Sequence, residues 1–506
     1  MTSSVSSEHL PHLEHVPRSL HVSNIANVAY GYCKILTELG YEVALRCHDM
    51  YHLMSQPEWD DLELDPCDFH DENNFFNNTA DFGNYERPAW FIQDHLLPRQ
   101  TSPRLSVSTL LREAWRHLPE TTKERLRPLI LSSLSVGSRL RGVRKQENLS
   151  RTRSATAVYS ELCRRLSQQS IAYGQHWRLN KRDLLRYRSH TEWLAKHGRG
   201  NDVVFAYAAS PIYAMLFGEL PYVAVEIGTI RDLPFDGTAA GKSIALAYRL
   251  ANHVIVTNPD NKRAIGALNI KNYSFCPHPV DEDVYRPQRN ETLRAELKAR
   301  YQAEFFLLAP ARQNWKLKGN DYYFRAFARL VREGASAVLL ICGWGQEVQR
   351  SKRLCADLGI GHRTLWLSPL SERGMIRYYR AVDVVLDQFR LGVFGLITPK
   401  AMACGRPVLT SYDASVHGWC FAAHPPVVNC WTEEDIFAAM RRFYRAPEKV
   451  AEIGLASRDW ILKYYSKAAV AHNLVEAMRC AQENFLARQP YDWCPVFSAA
   501  NSACQR

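Results

Sequence analysis

Short apolar runs recur along the chain, each ending in a small or polar turn and followed by residues with helical spacing. Leu20-His21-Val22 leads through Ser23-Asn24-Ile25-Ala26-Asn27 into a helix reaching about Leu39, which Gly40 closes ahead of a strand from Glu42 to Leu45. Ser23 or Asn24 is the expected N-cap. The alternation resumes with strands at 202–206, 221–226, 253–256 and 273–276, separated by helices at 211–218, 239–251 and 260–268. A second set of strands falls at 305–309, 338–342, 364–367 and 382–387, and another starts at Val408. Apolar runs alternating with helices predict parallel sheets covered on both faces. The fold class is α/β, with two doubly wound, Rossmann-like domains facing a central cleft.

Between the two sets, His278 to about Asn290 is polar and proline-containing, and it reads as a linker anchored by His278. The domains predicted are 1–285, 286–465, and a C-terminal helix with its tail at 466–506, the helix packing back toward the first domain. Residues 50–100 read as loop-rich. An arginine-rich helical insert covers about 103–197, with Arg112, Arg116, Arg125, Arg127, Arg139, Arg141, Arg144, Lys145, Arg151 and Arg153 among leucines. It suits either the solvated face of a helical hairpin or a basic platform for anionic lipid or a charged acceptor. No nucleic-acid-binding module surrounds that charge, so nucleic acid is not expected as a partner.

Composition narrows the class. The 506 residues exceed one ordinary core, and 46% hydrophobic with 23% charged residues is a globular balance. A formal net charge of +11 favours anionic partners. Residues 1–16 are polar and no run is long enough to span a bilayer, so the expected location is cytoplasmic, with peripheral contact to the inner face of a membrane through the basic insert. The 13 cysteines include no C-x-x-C pair, which argues against a zinc site.

Candidate chemistry gathers in the loops after the strands, where doubly wound sheets bind ligands. After Ala309, Arg312 offers a planar fork and Lys318 a point charge to a phosphate. After Cys342, Gly343-Trp344-Gly345 is a tight turn expected to expose N–H donors. After the 382–387 strand, Phe394-Gly395-Leu396 opens a helix with free amides, and Gly405 stops it. On the first domain, Glu226 ends a strand, expected to face the cleft with Arg231 as its ion-pair partner; Asn24, Asn27, Gly228, Thr229 and Asn258 line the same edge. A diphosphate is the natural guest, and no metal or cofactor is called for.

At these residues a resemblance emerges. The segments ASPIYAMLFGELPYVAVEIGTIRDLPF, VIVTNPDNKRAIGALNI and PHPVDEDVY, then ARQNWKLKGND, LLICGWGQE, YYRAVDVVLDQF and FGLITPKAMACGRPVLTS, resemble GT-B-fold glycosyltransferases, most of all the retaining family 4 group. The resemblance implies sugar transfer from a nucleotide-diphosphate-sugar, with retention and without an obligatory metal, to a glycan, lipid-linked or protein acceptor. It implies that Arg312 and Lys318 neutralise the diphosphate; Glu226, read from its place at the strand end, is either a third catalytic residue contacting the transferred group or a structural carboxylate paired with Arg231. Gly395 and Leu396 would supply amides, Gly343 and Gly345 would admit the nucleotide, and Asp387, Gly392, Phe394 and Lys400 would complete the donor site. Two positions depart from the family pattern: Gly392 and Lys400 stand where glutamates are common, and an ammonium cannot accept from ribose hydroxyls. Those departures leave a second reading, a GT-B-fold binding or scaffolding subunit without turnover.

Overall fold

The computed structural model describes residues 17–47, 53–64, 85–94 and 146–487, except for the side chains of Leu53 and of 146–155. The chain divides into two compact units, 1–93 with 197–489, and 94–196 with 490–506. The first unit holds both sheets.

The first sheet has seven parallel strands in the order β3-β2-β1-β4-β5-β6-β7. They are β1 Ser19–Val22, β2 Val43–Cys47, β3 Phe91–Gln93, β4 Val203–Tyr207, β5 Tyr222–Glu226, β6 His253–Val256 and β7 Tyr273–Phe275. The second sheet has six, β10-β9-β8-β11-β12-β13, again all parallel. Its strands are β8 Phe305–Ala309, β9 Ala337–Cys342, β10 Thr364–Leu367, β11 Val384–Leu386, β12 Val408–Thr410 and β13 Val428–Asn429. Every residue of β4, β5, β8 and β9 is buried, because helices cover both faces and leave no side of the strand for water. Each sheet reverses direction of strand order beside its first strand, β1 or β8, and at such a switch point the strand-end loops part and leave a crevice.

The Lys467–Ala487 helix lies on the first sheet rather than the second. Val470, Ala471, Leu474, Val475, Met478 and Ala481 are buried in the core that Val203, Phe205, Val223 and Ile255 form. Lys467 also bridges Glu38 of the first domain and Asp283 of the linker.

Some features differ from the sequence expectation. A strand, β3, closes the edge of the first sheet in a region read as loops; Phe91-Ile92-Gln93 is too short to show a period. The Val28–Glu38 helix starts at Asn27 in the left-handed conformation, with no side-chain cap, rather than at Ser23 or Asn24. Asn24 still serves that helix, since its Oδ1 accepts from Tyr30 N–H at 3.1 Å.

In the second unit, helices at Gln146–Ala172 and Lys181–Leu185 are joined through Tyr159, whose hydroxyl donates to Leu184 O at 3.3 Å. The arginines and lysine singled out at 112–145, and the side chains of Arg151 and Arg153, lie outside the described residues. Among the described residues no helix is long and apolar enough to cross a membrane.

Candidate functional site

A cavity of about 380 Å³ opens between the two sheets' carboxyl edges. Arg312, Lys318, Leu396 and Lys400 line it from the second domain, and Ile25, Ala26, Met54 and Trp59 from the first. The two cations are set by local hydrogen bonding. Asn314 caps the Trp315–Lys318 helix by accepting from Leu317 N–H, and Asn320 Oδ1 holds Asn314 N–H at 2.8 Å. Gly319 ends that helix at φ 66°, where a Cβ would stand 3.2 Å from Arg390. Phe389 N–H then donates to Lys318 O at 2.9 Å, tying this loop to the one after β11.

Electrostatically the pocket is short of anions. Lys318 donates to Gln388 Oε1, and its ammonium is held below the usual lysine range. Burial is the largest cause; Asp387 opposes it, while Arg312 and Arg231 add repulsion. Arg231 comes from the loop after β5, so three cations from both domains act on one place. Arg312 is exposed, and among the described residues no carboxylate pairs with it. Asp387, buried at the end of β11, accepts from Thr398 Oγ1 at 2.8 Å, and burial raises its carboxyl against the pull of Lys318.

The turn at Gly395 and Leu396 leaves both N–H groups without an acceptor among the described residues. A Cβ at Gly395 would meet nothing within 4 Å, so that side of the turn is open. Phe394 faces inward instead, stacked on His417 at 5.0 Å.

Several expected site residues turn out to be occupied elsewhere. Arg231 does not pair with Glu226; it grips Asp260 with two bonds at 2.6 and 3.0 Å. Glu226 is fully buried and does not face the cleft: its carboxylate accepts from Gly228 N–H and from Asn258 Nδ2 at 3.4 Å. Burial raises its pKa, against those hydrogen bonds. Gly228 takes φ 100° to make that turn, and Thr229 is half-buried beside it. Asn24 and Asn27 point inward as well, donating to Ser55 O at 2.9 Å and Gln56 O at 2.7 Å.

In the Gly343–Gly345 turn the first two N–H groups are taken, while those of the exposed Gly345 and Gln346 have no acceptor among the described residues. Gly343 N–H bonds Leu367 O at 2.8 Å and Trp344 N–H bonds Cys342 O at 3.0 Å. Gly345, at φ 106°, brings its Cα so near Gln313 that a Cβ would stand 2.8 Å from that backbone. Gly345 serves the packing of the Arg312 loop, and Gly343 lies against Leu367 of β10. Gly392 is likewise a turn residue, at φ 69°, where a Cβ would meet Trp431 at 2.8 Å.

Lys400 has a carboxylate after all, supplied by another helix. Its Nζ lies 2.7 Å from Glu372 Oε1, while Tyr285 Oη donates to Glu372 Oε2 at 2.8 Å. Both charged side chains line the cavity. Glu372 opens the Glu372–Ala381 helix, whose cap, Ser371, accepts Gly374 N–H and donates to Leu62 O of the first domain at 2.7 Å. Glu372, Met54 and Trp59 were not singled out from sequence. Glu372 begins the helix after β10, where a search of every strand-to-helix junction finds it; Met54 and Trp59 sit in a segment without a period.

Residues 291–420 match the family described as glycosyl transferases group 1. The D-inositol 3-phosphate glycosyltransferase 1 of Catenulispora acidiphila is 31% identical over 167 residues, 29% of this chain and 40% of that protein. The D-inositol 3-phosphate glycosyltransferase of Saccharomonospora viridis is 33% identical over 197 residues, 36% of this chain and 44% of that protein. The chain thus spans less than half the length of these curated relatives. In architecture it is similar to sucrose-phosphate synthase from Thermosynechococcus elongatus, with a TM-score of 0.56 at 14% identity over 92% of this chain and 98% of that one. A glycosyltransferase from Rickettsia africae gives 0.55 at 11% identity over 94% and 99%. Residues 291–420 are thus similar to the glycosyl transferases group 1 family, within a chain of GT-B fold.

Proposed function

We propose that this protein transfers a sugar from a nucleotide-diphosphate-sugar to an acceptor hydroxyl, with retention at the anomeric carbon and no obligatory metal. The observation that carries the reading is the pairing of Lys318 and Arg312 on one cavity wall, with Arg312 and Arg231 both repelling the Lys318 ammonium, beside the open amides of Gly395 and Leu396. Lys318 and the carboxylate-free Arg312, close enough to repel, are stabilised by a polyanion, and a diphosphate gains charge as it leaves. In the transfer, the acceptor oxygen bonds the anomeric carbon as the bond from that carbon to the phosphate oxygen breaks. The electron pair departs with the nucleoside diphosphate, and the hydroxyl proton passes to it or to water. Side-chain cations and amides do here what a metal ion does in other sites, so the reaction is expected to survive chelation. Retention rests on the resemblance to the retaining family 4 group.

Glu226, sealed behind Gly228 and Asn258, holds the loop that carries Arg231 and does not touch substrate. Asp387 orients Lys318 and the first turn of the Ile397–Ala403 helix through Thr398. A panel of nucleotide-sugars tests the reading: the right donor raises the melting temperature and is turned over with or without EDTA. If no donor protects the protein the reading fails, and if one protects without turnover, the binding-subunit reading replaces it.

A further inference from the structure

The cavity is largely apolar on both sides, and its charge is confined to one of them. Its charged side chains, Arg312, Lys318, Glu372 and Lys400, all come from the second domain. The first domain's share is Ile25, Ala26, Met54 and Trp59. That apolar wall is held in place at a cost. Ser23, Ala26 and Asn27 take positive φ values of 72°, 49° and 54°, a strained region for residues with a Cβ. The polar groups of the same loop are spent inward: Asn24 and Asn27 donate to Ser55 O and Gln56 O, and Ala26 N–H donates to Ser55 Oγ at 3.1 Å. What the strained loop displays outward is hydrocarbon.

Further large apolar side chains stand exposed at strand ends of both sheets. Ile25 after β1, Leu233 and Phe235 after β5, Leu317 after β8, Leu391 after β11 and Trp431 after β13 are between 37% and 47% exposed. Each follows a strand at the carboxyl end of its sheet, in a loop or a short helical turn. Large apolar side chains gathered at one edge mark a binding surface. Exposed cations, Arg231 and Arg312, stand in the same loops.

We infer that the acceptor is an amphiphile of the lipid-linked class, which rests on the glycosyltransferase reading and narrows it. Its hydroxyl-bearing head reaches the cations of the second domain, and its hydrocarbon chain leaves along Ile25, Met54 and Trp59 toward Leu233 and Phe235. A wholly polar acceptor such as a polyol phosphate would lie against this wall with its hydroxyl groups desolvated and unmatched. A chain lying there removes apolar surface of both partners from water.

The test uses the full chain with octyl β-glucoside below its critical micelle concentration and with methyl β-glucoside, which shares the head and lacks the chain. Calorimetry is expected to give the octyl compound an affinity ~10-fold or more above the methyl one. Ile25→Ser and Leu233→Ser, both at exposed positions, should together lower octyl binding ~5-fold or more and leave the methyl compound unchanged. Equal affinities, no binding of either, or an octyl preference that survives the double substitution overturns the inference. A nucleoside diphosphate titrated into the same samples separates the two readings. Diphosphate binding without a chain preference removes the amphiphile alone, and a chain preference without diphosphate binding removes the transferase reading alone.

Discussion

Replacing Arg312 with alanine is expected to separate fold from function cleanly. The side chain is exposed and has no carboxylate partner among the described residues, so its loss takes away no folded-state ion pair. Substitutions of that kind change stability by ~0.5 kcal/mol or less. Removing it also relieves repulsion on Lys318. With a diphosphate bound, the guanidinium faces a phosphate charge at ~4 Å. Such a pair is worth ~4 kcal/mol at an effective dielectric of ~20 and ~1 kcal/mol in bulk water. A half-wet cleft lies between these limits, at ~2–3 kcal/mol, a ~30- to 150-fold loss of diphosphate affinity. Calorimetric titration of a nucleoside diphosphate into wild type and Arg312→Ala measures this, with thermal unfolding as the control. The melting temperature should stay within ~2 °C. The difference between the proteins should shrink at ~1 M salt, where the Debye length is ~3 Å. Affinities within twofold of each other at low salt, or a variant that unfolds well below wild type, would refute the assignment of the cations to the diphosphate.

Two further outcomes follow from the carboxylates around Lys400. Lys400→Glu sets a second carboxylate beside Glu372, where the ion pair now measures 2.7 Å with both side chains mostly buried. It should cost ~3 kcal/mol of stability, with most restored when Glu372→Lys is added; a stable single variant would show that Glu372 turns away. Asp60 has its carboxyl pushed up to about 7, first by burial, with Lys400 opposing and Glu372 reinforcing. Between about 4 and about 7 the folded protein keeps a proton that the unfolded chain has released, so stability falls as pH rises through that window and levels off above it. Asp60→Asn should flatten this slope in urea unfolding series at about pH 5 and about pH 8, and parallel slopes in the two proteins would contradict it.

Much of the architecture was legible because it rests on local signals. Strands buried on both faces carry unbroken apolar runs, and β4, β5, β8 and β9 stand out for that reason. β3 and β13, of three and two residues, are too short for any pattern and exist because a neighbouring strand offers its edge. Helix ends set by a side chain, such as Ser371, follow the sequence rule; the one at Asn27 does not, since Asn27 is spent on Gln56. For the site, the sequence placed Arg312, Lys318, Leu396 and Lys400 on one cavity wall. It assigned Arg231 to the nearer carboxylate in sequence, Glu226, whereas folding brings Asp260 from the next strand's loop. Sequence distance is a poor guide to which of two acids a long side chain reaches.

By itself, then, the sequence determined the alternation of strand and helix, the two parallel sheets, and the loops that carry cations and open amides, because periodicity and turn chemistry act over a few residues. Only the tertiary structure decided the pairings: Lys400 with Glu372, Arg231 with Asp260, and Ile25, Met54 and Trp59 on the cavity wall. Those depend on how domains and helices meet, and the energy that selects them lies in burial and Coulomb terms between residues far apart along the chain.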